Sequence, residues 1–135
     1  DGYRPQRAVD HFMAWIADKQ DTAAKADYYP DLEKSQLVPE GYIAEKSGHS
    51  RGSTLDLTLI ELASGTELDM GSPWDFFGPI SHALTDKVPA AAQKNRLLLR
   101  TIMIKHGFKP YEAEWWHFTL ADEPYPDTYF DFVVE

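Results

Sequence analysis

The segment from Ser47 to Leu59 limits the possible folds of this chain more than any other, because it joins a glycine-punctuated loop to an alternating run. Leu55, Leu57 and Leu59 share one parity; Thr54, Asp56 and Thr58 share the other. A strand of that period turns its leucines to a core and Asp56 to the opposite face. His49 lies seven residues ahead of Asp56, in the loop that contains Gly48 and Gly52. A loop imidazole is thereby brought beside a strand carboxylate, which is two thirds of a three-ligand metal site.

The chain of 135 residues is read as a single domain, large enough for one core and too small for two. It has no cysteine, so disulfides and thiolate ligands are excluded, and a metal must be held by His, Asp, Glu or other oxygen donors. The 22 acidic residues against 13 basic ones leave a net charge of −9, which argues against a nucleic-acid partner. No apolar run approaches the length of a membrane span.

Around the central segment the pattern predicts an α+β domain: a central, largely antiparallel sheet carrying the metal site, flanked by two main helices at about 6–17 and 89–106. In the first helix Val9, Phe12, Met13 and Ile16 recur at helical spacing, after Pro5 in the first turn. Arg4 just ahead is a surface arginine at a helix start or, since a cation is disfavoured there, one held to meet an anion. Residues 18–46 predict a long connection with one short helical turn, either a solvent loop or one wall of a pocket. Residues 63–67 predict a hairpin turn between strands at 56–62 and 67–70. Residues 70–79 hold two glycines, two prolines and three aromatics, which suits a rigid loop lining an apolar pocket. Asp75 there is an isolated charge, or a turn cap.

In the second helix Pro89 fits the first turn and Gly107 the left-handed position after the end. Leu98, Ile102 and Met103 form part of its predicted buried stripe, with Lys94, Arg96, Arg100 and Lys105 outside. His106 sits in the last turn, where its cationic form complements the helix dipole. Residues 115–120 predict a strand, and 129–134 a short final strand or extended tail. Residues three apart in a regular strand face opposite sides. Glu114 and His117 can therefore share a site only if Glu114 sits on a turn or bulge.

His49, Asp56 and His117 make two imidazoles and a carboxylate with an open fourth position, a set suited to catalytic zinc and also to non-heme iron. Zinc lowers the pKa of its bound water and polarises a carbonyl. Glu114 is then placed as the general base, and Arg4 to stabilise an oxyanion.

Ser47 to Leu59 resembles the S-x-H-S-R-G-x-x-x-D-L-T-L signature of the D-alanyl-D-alanine dipeptidases of the vancomycin-resistance (VanX) type. Glu114-Trp115-Trp116-His117 matches that family's E-W-W-H, and Asp1-Gly2-Tyr3-Arg4-Pro5 its D-[GA]-Y-R-P. The closing stretches 122–126 and 129–132 also look like family sequence. The resemblance implies one Zn2+ held by His49, Asp56 and His117, Glu114 as catalytic base, and Arg4 as transition-state stabiliser. It implies that Ser47 contacts the carboxylate of the dipeptide D-Ala-D-Ala and that Asp75 receives its ammonium. A loop closed by Trp74 and Phe76 would restrict side chains to methyl size.

Three departures stand out. Gly48 replaces the serine or asparagine expected there and would loosen the loop. The run after Asp75 lacks the family's acidic residues, although His82 keeps its place as a structural or supporting residue. The resemblance also implies a segment ahead of the D-G-Y-R-P motif. The alternatives are a peptidoglycan D,D-carboxypeptidase or endopeptidase with the same zinc centre, and a non-catalytic zinc-stabilised binding module. Oligomeric state stays open, as does the choice between bacterial cytoplasm and periplasm.

Overall fold

The computed structural model of the chain describes residues 1–134. Helix α1 spans Gln6–Ala17 and starts directly after Pro5, as the proline and the apolar period predict. Two short helices follow, α2 at Lys25–Tyr28 and α3 at Lys34–Leu37, where the sequence predicts a single turn. Lys34 is buried and finishes α1: its Nζ donates to the carbonyls of Trp15 (2.8 Å) and Asp18 (2.7 Å) and lies over the Trp15 ring. A cation at the end of a helix meets free carbonyls and the negative dipole end together.

Strand β1 covers only Thr54–Asp56, helix α4 Ala90–Lys105, strand β2 Phe108–Tyr111 and strand β3 Glu114–Leu120. The three strands form one antiparallel sheet in the order β1-β3-β2. The strand predicted at 56–62 is not continuous. Its hairpin turn is present, but the pairing is reduced to an isolated bridge between Ile60 and Glu67, with the bonds from Leu68 N–H to Leu59 O and from Glu61 N–H to Thr66 O beside it.

The register sets Leu55 opposite Phe118 and Asp56 opposite His117. Directly paired residues share a face, so the leucine parity and the Asp56 parity separate as the alternation predicts. The expected burial of the leucines is only partly met. Leu55 is 40% exposed because β1 is a sheet edge, while Leu57 and Leu59 pack against the core. That core is Met70, Leu99, Met103, Trp115, Trp116 and Phe118.

Helix α4 corrects the predicted stripe. Leu98 is 50% exposed and Ile102 also faces outward; the buried row is Ala92, Arg96, Leu99 and Met103. That row keeps helical spacing but runs through a charged residue, which sequence reading assigned to the outside. Gly107 takes φ +85° after the helix, the left-handed value expected of it. His106 is exposed in the closing turn.

Residues 129–134 form an extended tail rather than a strand. Phe130 exchanges main-chain bonds with Gln6 and Ser50, Phe132 stacks on Tyr3 at 4.1 Å, and Asp131 pairs with Arg7. Among the described residues no helix is long and apolar enough to cross a membrane.

Gly71 joins Met70 of the core to the 70–82 loop at φ +79°, and a Cβ there would press on Val88 and Ala92. Gly71→Ala is expected to cost about 1–3 kcal/mol, from left-handed backbone and overpacking together. Urea unfolding of the two proteins measures it, and equal midpoints would contradict the packing described.

Candidate metal centre and its pocket

Ser47 opens the site. Its Oγ accepts the His49 N–H (3.2 Å) and starts a 3₁₀ turn, Gly48–Arg51, that ends at Gly52 in left-handed conformation. The turn is firm at Gly48, where a Cβ would collide with Thr54 Oγ1. A larger residue at this position requires the Thr54 side chain to shift. Thr54 in turn is bonded to Thr119 across the sheet (2.8 Å).

The fixed turn delivers a buried imidazole. His49 Nδ1 lies 2.7 Å from the Gly2 carbonyl, so Nδ1–H donates there and Nε2 faces Asp56. His49 Nε2 is 3.1 Å from Asp56 Oδ2, and His117 Nδ1 is 3.1 Å from Asp56 Oδ1. The two imidazoles stand edge to face at 5.1 Å. One donor atom from each of His49, Asp56 and His117 lies within 4.8 Å of the others.

These residues fit a divalent cation. The donor set is two nitrogens and a carboxylate oxygen. Asp56 Oδ1 is buried without a hydrogen bond of good geometry, and the outer nitrogen of His49 is held by a carbonyl, which is how a ligating histidine is normally oriented. Burial acts to raise the Asp56 pKa, but the imidazoles of His117 and His49, each 3.1 Å from one of its oxygens, outweigh it and hold this carboxyl well below its usual range.

Glu114 reaches the same place by an irregularity of the sheet. On β2, Pro110 pairs with Phe118 and the next residue, Tyr111, pairs with Glu114. Trp115, Trp116 and His117 thus have no partner on β2, and the strand departs from regular alternation where the sequence argument requires it. Glu114 Oε2 lies 3.3 Å from His117 Nδ1. Burial first, then the charges of Asp56 and Asp75, push the Glu114 carboxyl up to about 8, with Arg4 acting the other way.

A cavity of about 530 Å³ opens from these groups, and Arg4, Ser47 and Asp75 also line it. The seven residues singled out in the sequence therefore border one space. Arg4 Nη2 is 2.7 Å from Asp1 and 3.8 Å from Asp56 Oδ2. Asp75 has φ +55°, unusual for a residue with a side chain, and burial together with Asp56 raises its pKa.

The opposite wall comes from residues 24–46, which settles the long connection as pocket wall. Among the contacts that attach it are Phe77 N–H to Tyr28 O (2.7 Å) and Tyr111 Oη to Gly41 O (2.8 Å). The expectation for Trp74 and Phe76 is corrected. Neither lines this cavity; Phe77 does, and Trp74 turns back onto Trp115 at 6.0 Å. In a loop of consecutive aromatics only the backbone path decides which ring points inward. His82 is exposed, its Nε2 3.3 Å from Tyr42 Oη.

Sequence reading passed over Tyr111, which tilts against His117 at 5.4 Å, and Arg96, described below. The spacing of Arg96 from Ala92 and Leu99 was the available signal for its burial.

A family model for peptidase M15, described as D-Ala-D-Ala dipeptidase, matches residues 1–135. A D-alanyl-D-alanine dipeptidase of Enterococcus faecalis (strain ATCC 700802 / V583) is 50% identical over 134 residues, 99% of this chain and 66% of the relative. One of Streptomyces coelicolor (strain ATCC BAA-471 / A3(2) / M145) shows the same figures. One of Escherichia coli (strain K12) is 42% identical over 120 residues, 89% of this chain and 52% of the relative. The chain spans about two thirds of the length of the first two.

A cation bound to the folded chain alone stabilises it by mass action, about 2.7 kcal/mol at a hundredfold excess over Kd. Thermal unfolding with and without Zn2+ is expected to show a shift that Asp56→Ala abolishes. A shift that survives the substitution would place the ion elsewhere.

Proposed function

The chain belongs to the peptidase M15 family of D-Ala-D-Ala dipeptidases, and from that premise we propose that it hydrolyses D-Ala-D-Ala to two D-Ala, with one Zn2+ held by His49, Asp56 and His117. The observation that carries this reading is the junction of two ligand imidazoles, a carboxylate and Glu114 at one end of a cavity that also holds Asp75. Zinc in that position would lower the pKa of a water and polarise the scissile carbonyl.

The chain's own groups do the rest. Glu114 takes a proton from the attacking water and gives it to the leaving amine. A buried carboxyl beside His117 at the end of the cavity is placed for both halves of that transfer. Water adds to the carbonyl carbon, the C–N bond breaks, and the nitrogen leaves as an amine. Arg4 offers a cation to the oxygen on which negative charge develops. Asp75 receives the substrate's free ammonium, and Ser47 with its hydroxyl at the cavity wall contacts the carboxylate end. Holding both termini favours a free dipeptide over a peptidoglycan chain, whose acylated nitrogen carries no charge for Asp75 to meet.

Glu114→Ala is expected to retain its metal and lose roughly a thousandfold in kcat. Metal analysis beside an assay of D-Ala release checks both halves, and undiminished turnover would remove Glu114 from the role of base. N-acetyl-D-Ala-D-Ala is expected to be a far poorer substrate than the free dipeptide, and Asp75→Asn to narrow that gap. Equal rates on the two substrates would favour the carboxypeptidase reading.

A further inference from the structure

The 70–82 loop carries Asp75 and Phe77 to the cavity, yet its only regular element is a 3₁₀ turn at Pro79–Ser81. Its shape is set from α4. Arg96 is 2% exposed and meets both ends of the loop. Nε donates to Met70 O at 2.6 Å, Nη2 to Ser72 Oγ at 3.1 Å and Nη1 to His82 O at 2.9 Å. Ser72 Oγ also accepts from Trp115 Nε1 at 2.9 Å, and the guanidinium lies 5.7 Å from the Trp115 ring. Within the loop the buried Ser81 hydroxyl donates to Phe76 O at 2.6 Å.

We propose that Arg96 is a positioning residue for substrate binding. One guanidinium fixes both ends of the loop and, through Trp115, ties it to the strand that carries Glu114 and His117, so that Asp75 is held at a set distance from the metal ligands. This rests on the reading of Asp75 as the carboxylate that receives the ammonium. The arrangement needs an arginine. Its planar fork directs several N–H groups at once and stacks on an indole, whereas a lysine ammonium is a single point on a flexible stem. The positive φ of Asp75 is the kind of local strain that persists only where the surroundings enforce it.

The test is Arg96→Lys in the metal-loaded full chain. The KM for D-Ala-D-Ala is expected to rise about tenfold with kcat within about threefold, and metal content to equal the parent's. In an Asp75→Asn background the same change is expected to add nothing. By hydrogen exchange, the Phe77 and Ala83 amides, bonded to Tyr28 O and Glu112 O, are expected to lose protection while Leu99 and Met103 keep theirs. Ser72→Ala, a milder change, is expected to act in the same direction and supplies the measurement if the lysine variant does not fold. An unchanged KM would overturn the proposal. So would multiplying effects of the Arg96 and Asp75 changes, or protection lost evenly over the molecule. A parent that leaves D-Ala-D-Ala intact counts against the dipeptidase reading alone, and the exchange pattern then decides on Arg96.

Discussion

A single buried carboxylate organises this structure. Asp56 lies between two imidazoles, each 3.1 Å from one of its oxygens. Its burial would be unfavourable alone, and an ion taken from water needs partners of good geometry. Those partners come from distant parts of the chain: a 3₁₀ turn, the third strand and, more loosely, the arginine ahead of α1. The pairing of Asp56 with His117 is also a rung of the sheet. A slip of one residue would turn Asp56 to the face of Phe118 and leave a charge among the aromatics of the core. Sheet register and the geometry around Asp56 are thus one constraint, which is how a strand of three residues can be defined at all.

The same economy applies to β3. Regular alternation would place Glu114 and His117 on opposite faces. The slip in pairing at Pro110/Tyr111 returns them to one place, and the three unmatched residues include Trp115 and Trp116, both buried. Two consecutive tryptophans cannot both enter a core from a regular strand. The irregularity that brings Glu114 beside His117 also lets both rings pack, edge to face at 5.2 Å.

Much of this could be read from the residues because the signals were local. The bounds of α1 followed from Pro5 and the apolar period; the end of α4 followed from Gly107; the need for a bulge at Glu114 followed from strand geometry. Three readings failed where the answer depended on tertiary placement. Leu55 carries the parity of a core residue, but no second layer covers the edge strand at that point. Leu98 and Leu99 are both plausible stripe positions, and the buried row runs through Leu99 and Arg96, a charged residue read as lying outside it. Phe77, not Trp74 or Phe76, borders the cavity because the left-handed turn at Asp75 redirects the chain just before it.

The burial of Arg96 carries the physical argument furthest. Its guanidinium is surrounded by two carbonyls, a hydroxyl and an indole, and burial pushes its pKa down to about 10, with Asp69 pulling the other way. Such a group is weak evidence for stability, since apolar residues of similar size often serve a core as well or better. What apolar residues cannot do is give two separated carbonyls a fixed common partner. The loop it holds has little regular structure of its own and presents a strained aspartate to a cavity in which small displacements of charge alter binding. A buried arginine with no carboxylate partner among the described residues is therefore better understood through the conformation it selects than through the stability it adds, and that conformation is the one that brings Asp75 to the cavity shared with His49, Asp56 and His117.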